Sequence, residues 1–414
     1  MEAKSRVRVL NALNHIQPDK VPFDLSGHRS SGINPQTYRH LRQYLGLPER
    51  PVKVYDIIQQ IAVLDEDFLD WAGVDTIELG RGFSLADDDW KPWTLADGTD
   101  CLIPAYVDVR REGDNWLLYG GSPSRTLGIQ KPGMNFFDQN YWPYLNGVPD
   151  TLSSLEQDIN NQLWAIPSPP NLAIIDEAAF RKGAKALRAS TGRAIVGLIG
   201  NSMHELPQFL CRMDNFLMLM ASEPQTVHRL QDALVEIHLK NMEYYLGAVG
   251  PYIDILLVVD DLGTQMGPLL SPRMYRDFLK PHHSVLCNRV KELADVKILL
   301  HCCGGIRQLL DDLIDAGFDA VNPVQISCKG METQGLKQDF GDRLCFWGGG
   351  CDTQRILPDA TPEEIRQHVL EQLEIFSPGG GYVFQQVHNI MAGISPENIV
   401  AMIDAVKEFN GEKV

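Results

Sequence analysis

The sequence predicts an α/β protein built on a (β/α)8 TIM barrel, with a doubly wound open sheet as the alternative. Three observations predict it. From about residue 190, short apolar runs alternate with longer amphipathic stretches, the rhythm of successive strand–helix units. Two earlier apolar runs bring the number of strand candidates to eight. The residues that end these runs are unusually polar, as they must be where strands deliver side chains to a barrel mouth.

In chain order the strand candidates are VPFDLSG (21–27), DTIEL (75–79), AIVGLIG (194–200), ILLVVDDLG (255–263), VKILLHCCG (296–304), AVNPVQ (320–325), LCFWGGG (344–350) and GYVFQQV (381–387). Helical periodicity marks 271–294, 306–317 and 361–376, the last opening on Thr-Pro-Glu-Glu, a capping-box start. Residues 90–133 break the rhythm. Their short apolar segments are separated by Asp-Gly and Gly-Asp pairs, which predicts an antiparallel β excursion beside the mouth. Trp116, Tyr119, Trp142 and Tyr144 are candidates for a lid, with aromatic core as the plainer expectation. Residues 134–172 read as irregular, with a helix resuming near Leu172. No internal repeat, low-complexity tract or long linker divides the chain, so residues 1–414 are expected to form one domain.

Composition narrows the function. With 37 basic and 54 acidic residues the formal net charge is −17, which argues against nucleic acid or an anionic membrane as partner. The N-terminal stretch lacks the apolar core of a signal peptide, and no run approaches the ~20 apolar residues that cross a bilayer. A cytoplasmic protein is expected. The eight cysteines follow no disulfide framework, and five of them fall between residues 302 and 351.

Function is expected to concentrate there. Alternate residues of an extended chain share a face, so His301 and Cys303 can converge on one ion while Cys302 points away. Cys351, after the run 344–350, is the candidate third ligand. One imidazole and two thiolates suit Zn(II), and three protein ligands leave a coordination position for substrate. The plainer expectation is reduced, packed thiols. A Cys302–Cys303 redox pair is disfavoured because adjacent Cα atoms lie about 3.8 Å apart, closer than a usual disulfide. The other strand ends supply His28, Arg29, Glu78, Arg81, Asn201, His204, Asp260, Gln265, Gln325, His388 and Asn389. Of the neighbours Asp260 and Asp261, one is expected to face the pocket and the other to cap a helix. Asp352 is a turn residue or a partner of a ligand. The glycine runs at 348–350 and 379–381 lack phosphate-loop spacing and imply close backbone approach. His282 and His283, on a predicted helix, are expected at or near the surface.

Several segments together resemble the uroporphyrinogen decarboxylase superfamily, which also contains cobalamin-dependent methyltransferases. They are RVLNALNHIQPDKVPFDLSG, DDLGTQMGPLLSPRMYRDFLKP, LLHCCGG, FDAVNPVQ, FWGGGCDTQRILP, PGGGYVFQQVHNI and SPENIVAMIDAV, spread over nearly the whole chain. The resemblance implies a (β/α)8 barrel with its site at the C-terminal mouth. True decarboxylases carry an arginine-rich segment after the first strand, where this chain reads DLSGHRSSGI and offers only Arg29. The methyltransferase branch carries H-x-C, a spacer and a further cysteine, which His301, Cys303 and Cys351 resemble. In coenzyme M methyltransferases that last cysteine usually comes after the final strand, where this chain has His388, itself a candidate fourth ligand or substrate contact, or a residue that only hydrogen-bonds within the mouth.

The resemblance therefore implies a zinc-dependent methyltransferase acting with a corrinoid (methylcobalamin) carried on a partner protein. A methyl group would pass from a small methylated substrate to Co(I), or in the reverse direction to a thiol acceptor. His301, Cys303 and Cys351 would bind zinc, and Asp260, Glu78 and His388 would act in catalysis. His28, Arg29, Arg81, Asn201, His204, Gln265, Gln325 and Asn389 would contact substrate. The alternatives are a metal-free decarboxylase of a tetrapyrrole or other acid, and a catalytically silent corrinoid-binding barrel. A homodimer is a family expectation only.

Overall fold

Seven parallel strands form one curled sheet in the computed structural model, which describes residues 4–82, 86–165 and 177–413. In chain order they are β1 (Thr76–Glu78), β2 (Ala194–Gly200), β3 (Ile255–Val259), β4 (Lys297–His301), β5 (Ala320–Asn322), β6 (Cys345–Trp347) and β7 (Tyr382–Val383), each hydrogen-bonded to the next. The segment 21–25 meets both edges of this sheet. The Asp24 amide donates to the Phe384 carbonyl and the Phe384 amide to that of Pro22, both at 2.8 Å, while the Asp75 amide donates to Phe23 at 2.8 Å. The result is a TIM-like barrel whose strands lie where the apolar runs placed them.

Alternation along the strands sorts their side chains into two layers. Ala194, Val196, Ile255, Leu257, Leu299, Ala320, Cys345, Trp347 and Val383 point inward and form one apolar cluster. Ile195, Leu256, Val258, Ile298, Leu300, Val321 and Phe346 point outward into the larger core beneath the helices. The N-terminal helix Lys4–Leu13 adds Val9, Ala12 and Leu13 to the inner cluster and so plugs the lower end of the barrel. Arg6 and Arg188 hold it and the neighbouring helix to the buried carboxylate of Asp254. Farther up, the interior turns polar: the fully buried Trp347 indole donates to Asp24 at 2.8 Å, and the Thr76 hydroxyl donates to the same carboxylate at 2.6 Å.

The helices follow the sequence with local adjustments. Thr361 and Glu364 form the expected capping box at the start of Pro362–Phe376. The stretch 271–294 divides into Pro272–Phe278 and Lys280–Leu293, because the Pro281 ring has no amide hydrogen and crowds the preceding turn. Leu172 lies outside the described residues, and the helix that follows spans Glu177–Ser190. Residues 52–62 and 90–139 form two further sheets. Trp90–Thr94 pairs antiparallel with Asp100–Pro104, which lies parallel to Val52–Asp56. Asp108–Glu112, Asn115–Gly120, Arg125–Gln130 and Asp138–Gln139 form an antiparallel four-stranded sheet. Val54, Trp93, Ile103, Leu118, Leu127 and Phe137 pack these sheets into a cluster of their own.

Among the described residues no helix is long and apolar enough to cross a membrane. Replacing Trp347 by Phe removes the indole N–H from a buried carboxylate and leaves a void in the barrel. It is expected to destabilise the protein by about 2–3 kcal/mol in denaturant unfolding.

Candidate metal centre

The strand that ends at His301 carries the centre of the site. Leu299 points into the barrel, so His301 and Cys303 continue on the inward side, while Cys302 follows Ile298 and Leu300 outward. Cys302 accepts the Leu262 amide at 3.2 Å and is packed in the core. Cys303 Sγ lies 3.5 Å from His301 Nε2. One ligand atom each of His301, Cys303 and His388 falls within 4.8 Å of the others.

These donors suit a zinc ion. Bonds of about 2.3 Å to sulfur and 2.0–2.1 Å to nitrogen at a tetrahedral angle put the two ligand atoms roughly 3.5 Å apart. The His301 and His388 rings meet edge to face with centroids 5.4 Å apart. Burial, followed by the charges of His301 and His28, pushes His388 down to about 3, and burial also lowers His301. Both imidazoles are therefore neutral at physiological pH, as ligands must be. His388 adopts a left-handed backbone (φ 65°), a rare conformation for a side-chain-bearing residue, which turns its ring toward His301. Its Nδ1 accepts the Asn389 amide at 2.8 Å, which favours a proton on Nε2 and makes it the weakest of the three donors. Burial and then the Asp261 charge hold the Cys303 thiol well above its ordinary range.

Cys351, expected as the third ligand, is not in this group. It is fully buried in the outer core, with its thiol raised by burial and by Asp352. The reason lies in the glycines before it. Cys345 and Trp347 face inward, but Gly348 and Gly349 take φ of 130° and 69°, which breaks the alternation and turns Cys351 toward the helices. At Gly348 a Cβ would lie 2.0 Å from the Pro323 carbonyl oxygen, so the position also demands glycine on steric grounds.

The aspartate pair is reversed from the expected assignment of Asp260 to catalysis. Ile255 and Leu257 face inward, so Asp261 shares their side and Asp260 does not. Asp260 is fully buried and accepts from the Ser202 hydroxyl, the amides of Met203, His204 and Glu205, and His283 Nε2. Burial alone would raise its carboxyl, but the His283 hydrogen bond and charge outweigh that and hold it below the usual range. It anchors the start of helix Glu205–Cys211. His283, expected near the surface, is buried because it serves this anchor. Asp261 instead accepts the Cys303 amide at 2.7 Å and lies 3.9 Å from His301 Nε2.

Other expected contacts divide between lining and bracing. His28 is fully buried between Gln385 and Asp24, at 3.1 and 3.2 Å. His204 is also buried and contacts the Asp261 carbonyl through Nδ1. Gln325 receives the Gly304 amide at 3.0 Å, bracing the turn behind Cys303. Asn389 receives the Gly32 amide at 2.7 Å, and its side-chain amide meets Gln59. Arg29 is 8% exposed, 3.4 Å from Asp56 and 4.0 Å from Glu78, with its Nε and Nη2 buried and making no hydrogen bond among the described residues. Asn201 is buried with φ 59° at the end of β2. Gln265 is exposed on a small hairpin and accepts from the Cys328 thiol. Asp352 accepts the Gln354 amide in a turn. The Arg81 side chain lies outside the described residues.

Two residues of the site carry no motif. The Ser30 hydroxyl lies 3.4 Å from His301 Nε2. Glu205, raised well above the ordinary glutamate range by burial and then by Asp261 and Asp260, opens the helix beside them. Nothing in their local sequence singles them out. For Asp261, by contrast, counting alternate residues from Ile255 identifies the inward face.

Residues 183–409 match the uroporphyrinogen decarboxylase (URO-D) family, more than half of the chain. The uroporphyrinogen decarboxylase of Pseudoalteromonas translucida (strain TAC 125) is 31% identical over 198 residues, covering 46% of this chain and 51% of that protein. The uroporphyrinogen decarboxylase of Psychromonas ingrahamii is 30% identical over 191 residues, 45% of this chain and 50% of that one. The chain thus spans about half the length of the curated relatives it matches. A solved methyltransferase from Methanosarcina mazei shares the fold across 98% of both chains, with a TM-score of 0.58 at 17% identity. Strand order, mouth and sequence agree: the chain belongs to the uroporphyrinogen decarboxylase (URO-D) family.

Proposed function

We propose that the protein is a zinc-dependent methyltransferase that moves a methyl group between a small methylated substrate or a thiol and a corrinoid carried by a partner protein. The observation that carries this reading is the convergence of His301, Cys303 and His388 at the mouth. Zinc held there would supply Lewis acidity to the heteroatom that releases or accepts the methyl group. Three protein donors leave room for that heteroatom. Asp261 tethers the Cys303 backbone, Gln325 braces the turn that follows, and the Asp260 anchor sets the wall at 202–205. The fold shared with the Methanosarcina mazei methyltransferase is compatible with this reading.

Decarboxylation of a tetrapyrrole is the second reading, favoured by the names of the curated relatives. Arg29 speaks against it: it is the one arginine of its segment, and the carboxylates of Asp56 and Glu78 lie beside it.

Elemental analysis of protein purified without added metal is expected to find about one zinc per chain. Cys303→Ala and His301→Ala should lose it, His388→Ala should weaken it, and Cys351→Ala should keep it. Loss in Cys351→Ala with retention in His388→Ala would reverse the ligand assignment. No metal after zinc reconstitution would exclude the zinc reading altogether.

Because Cys303 is held as a thiol while both histidines are neutral, zinc capture should release one proton, from sulfur. Affinity measured by chelator competition is expected to rise about tenfold per pH unit between roughly pH 6 and 8. A flat profile would mean that no thiol proton is displaced. In a methyl-transfer assay, free cob(I)alamin supplied with methyl ethers or methylamines should be methylated, or methylcobalamin demethylated by a thiol. Either activity should disappear in Cys303→Ala and survive in Cys351→Ala. Zinc binding without transfer in either direction would leave the metal site standing and remove the proposed reaction.

A further inference from the structure

We propose that Asn322 is a positioning residue for this centre: its side-chain oxygen, locked in one orientation, fixes His301 as the Nδ1–H tautomer and leaves Nε2 free to bind metal. The consequence for metal rests on the proposed function, whereas the tautomer does not.

Asn322 ends β5 and pairs in register with His301. It is fully buried, with Oδ1 2.7 Å from His301 Nδ1. An amide oxygen and nitrogen are assigned by their surroundings, and here these leave one choice. The opposite side of the amide lies 2.9 Å from the Trp347 carbonyl, which can only accept, so the nitrogen is there. That nitrogen also donates to Gln385 Oε1 at 2.6 Å. Gln385 is itself fixed, because its Nε2 donates to the Ser30 and Gln386 carbonyls, both at 3.0 Å. Turning over either amide would set lone pairs against lone pairs in a fully buried place. The oxygen facing His301 can only accept, so Nδ1 carries the hydrogen. The remaining lone pair, on Nε2, faces Cys303 Sγ.

The network continues to a fixed end. His28 Nδ1 accepts the Ser30 amide at 3.2 Å, which puts the His28 hydrogen on Nε2, facing Gln385 Oε1 and Asp24. Asp24, His28, Gln385 and Asn322 are all fully buried, and Trp347 and Thr76 hold Asp24 in turn. His301 is thereby oriented before any ion arrives, which is how an outer hydrogen bond strengthens a ligand.

The direct test is 15N NMR of histidine-labelled, metal-free wild-type protein, in which protonated and unprotonated ring nitrogens resonate far apart. His301, assigned by its loss in His301→Gln, should show a protonated Nδ1 and a bare Nε2. The reverse pattern, or averaging between tautomers, overturns the proposal. In the second arm, zinc affinity is compared across variants. Asn322→Leu should lose about 10- to 100-fold, and Asn322→Asp, which keeps an acceptor oxygen toward His301 but sets its other oxygen against the Trp347 and Gln385 oxygens, should lose less zinc affinity than Asn322→Leu while unfolding more readily. Equal losses in two folded variants would reduce Asn322 to a space-filling role and also overturn the proposal. Should Asn322→Leu fail to fold, the wild-type spectrum decides. A wild-type protein with the expected tautomer that captures no zinc would defeat the proposed function while leaving this inference intact.

Discussion

A side chain on a barrel strand has two destinations, the closed interior or the layer beneath the helices, and consecutive residues must take opposite ones. The site depends on that constraint more than on any single bond. Inward residues near the bottom are apolar and meet the plugging helix; higher up the same sides carry Asp24, Asn322 and Gln385, and at the mouth His301, Cys303 and Asp261. Outward residues at the same heights, Asp260 and Cys302, are drawn into packing and helix anchoring. Two adjacent aspartates and two adjacent cysteines are thus divided between site and scaffold by position alone.

Polar groups inside a barrel are costly unless each finds a partner. The column from Asp24 to His301 meets that requirement by giving each donor an acceptor and each acceptor a donor, and it uses residues of the segment 21–31 together with β4, β5, β6 and the residues that follow β7. The first and last strands of the barrel are consequently joined by side chains as well as by backbone. The loop 202–205 is held in the same manner from the opposite side, where one buried carboxylate gathers several amides and a histidine.

Much of this was legible in the sequence because it follows from periodicity. Apolar runs mark the strands, and the spacing of His301 and Cys303 places both on one side. What escaped reading depends on backbone conformations that periodicity does not encode. Cys351 lies outside the cluster because two glycines at positive φ break the side-to-side alternation before it, and His388 reaches the cluster through an unusual φ of its own. The placement of His283 escaped for another reason: its partner Asp260 lies on a distant element, and a helix face shows only that one side is buried. Asp261 was readable, since alternation from Ile255 already sets it inward.

The substitution of His388 for Cys351 in the cluster also changes its charge. Two imidazoles and one thiolate bring a single negative charge, so a divalent cation held by them would retain one net positive charge, where an imidazole and two thiolates would neutralise it. The retained charge would make such an ion a harder, stronger electron-pair acceptor and would draw anions toward the mouth. Asp261, 3.9 Å from His301 Nε2, would then bring a negative charge close to that ion and temper the pull.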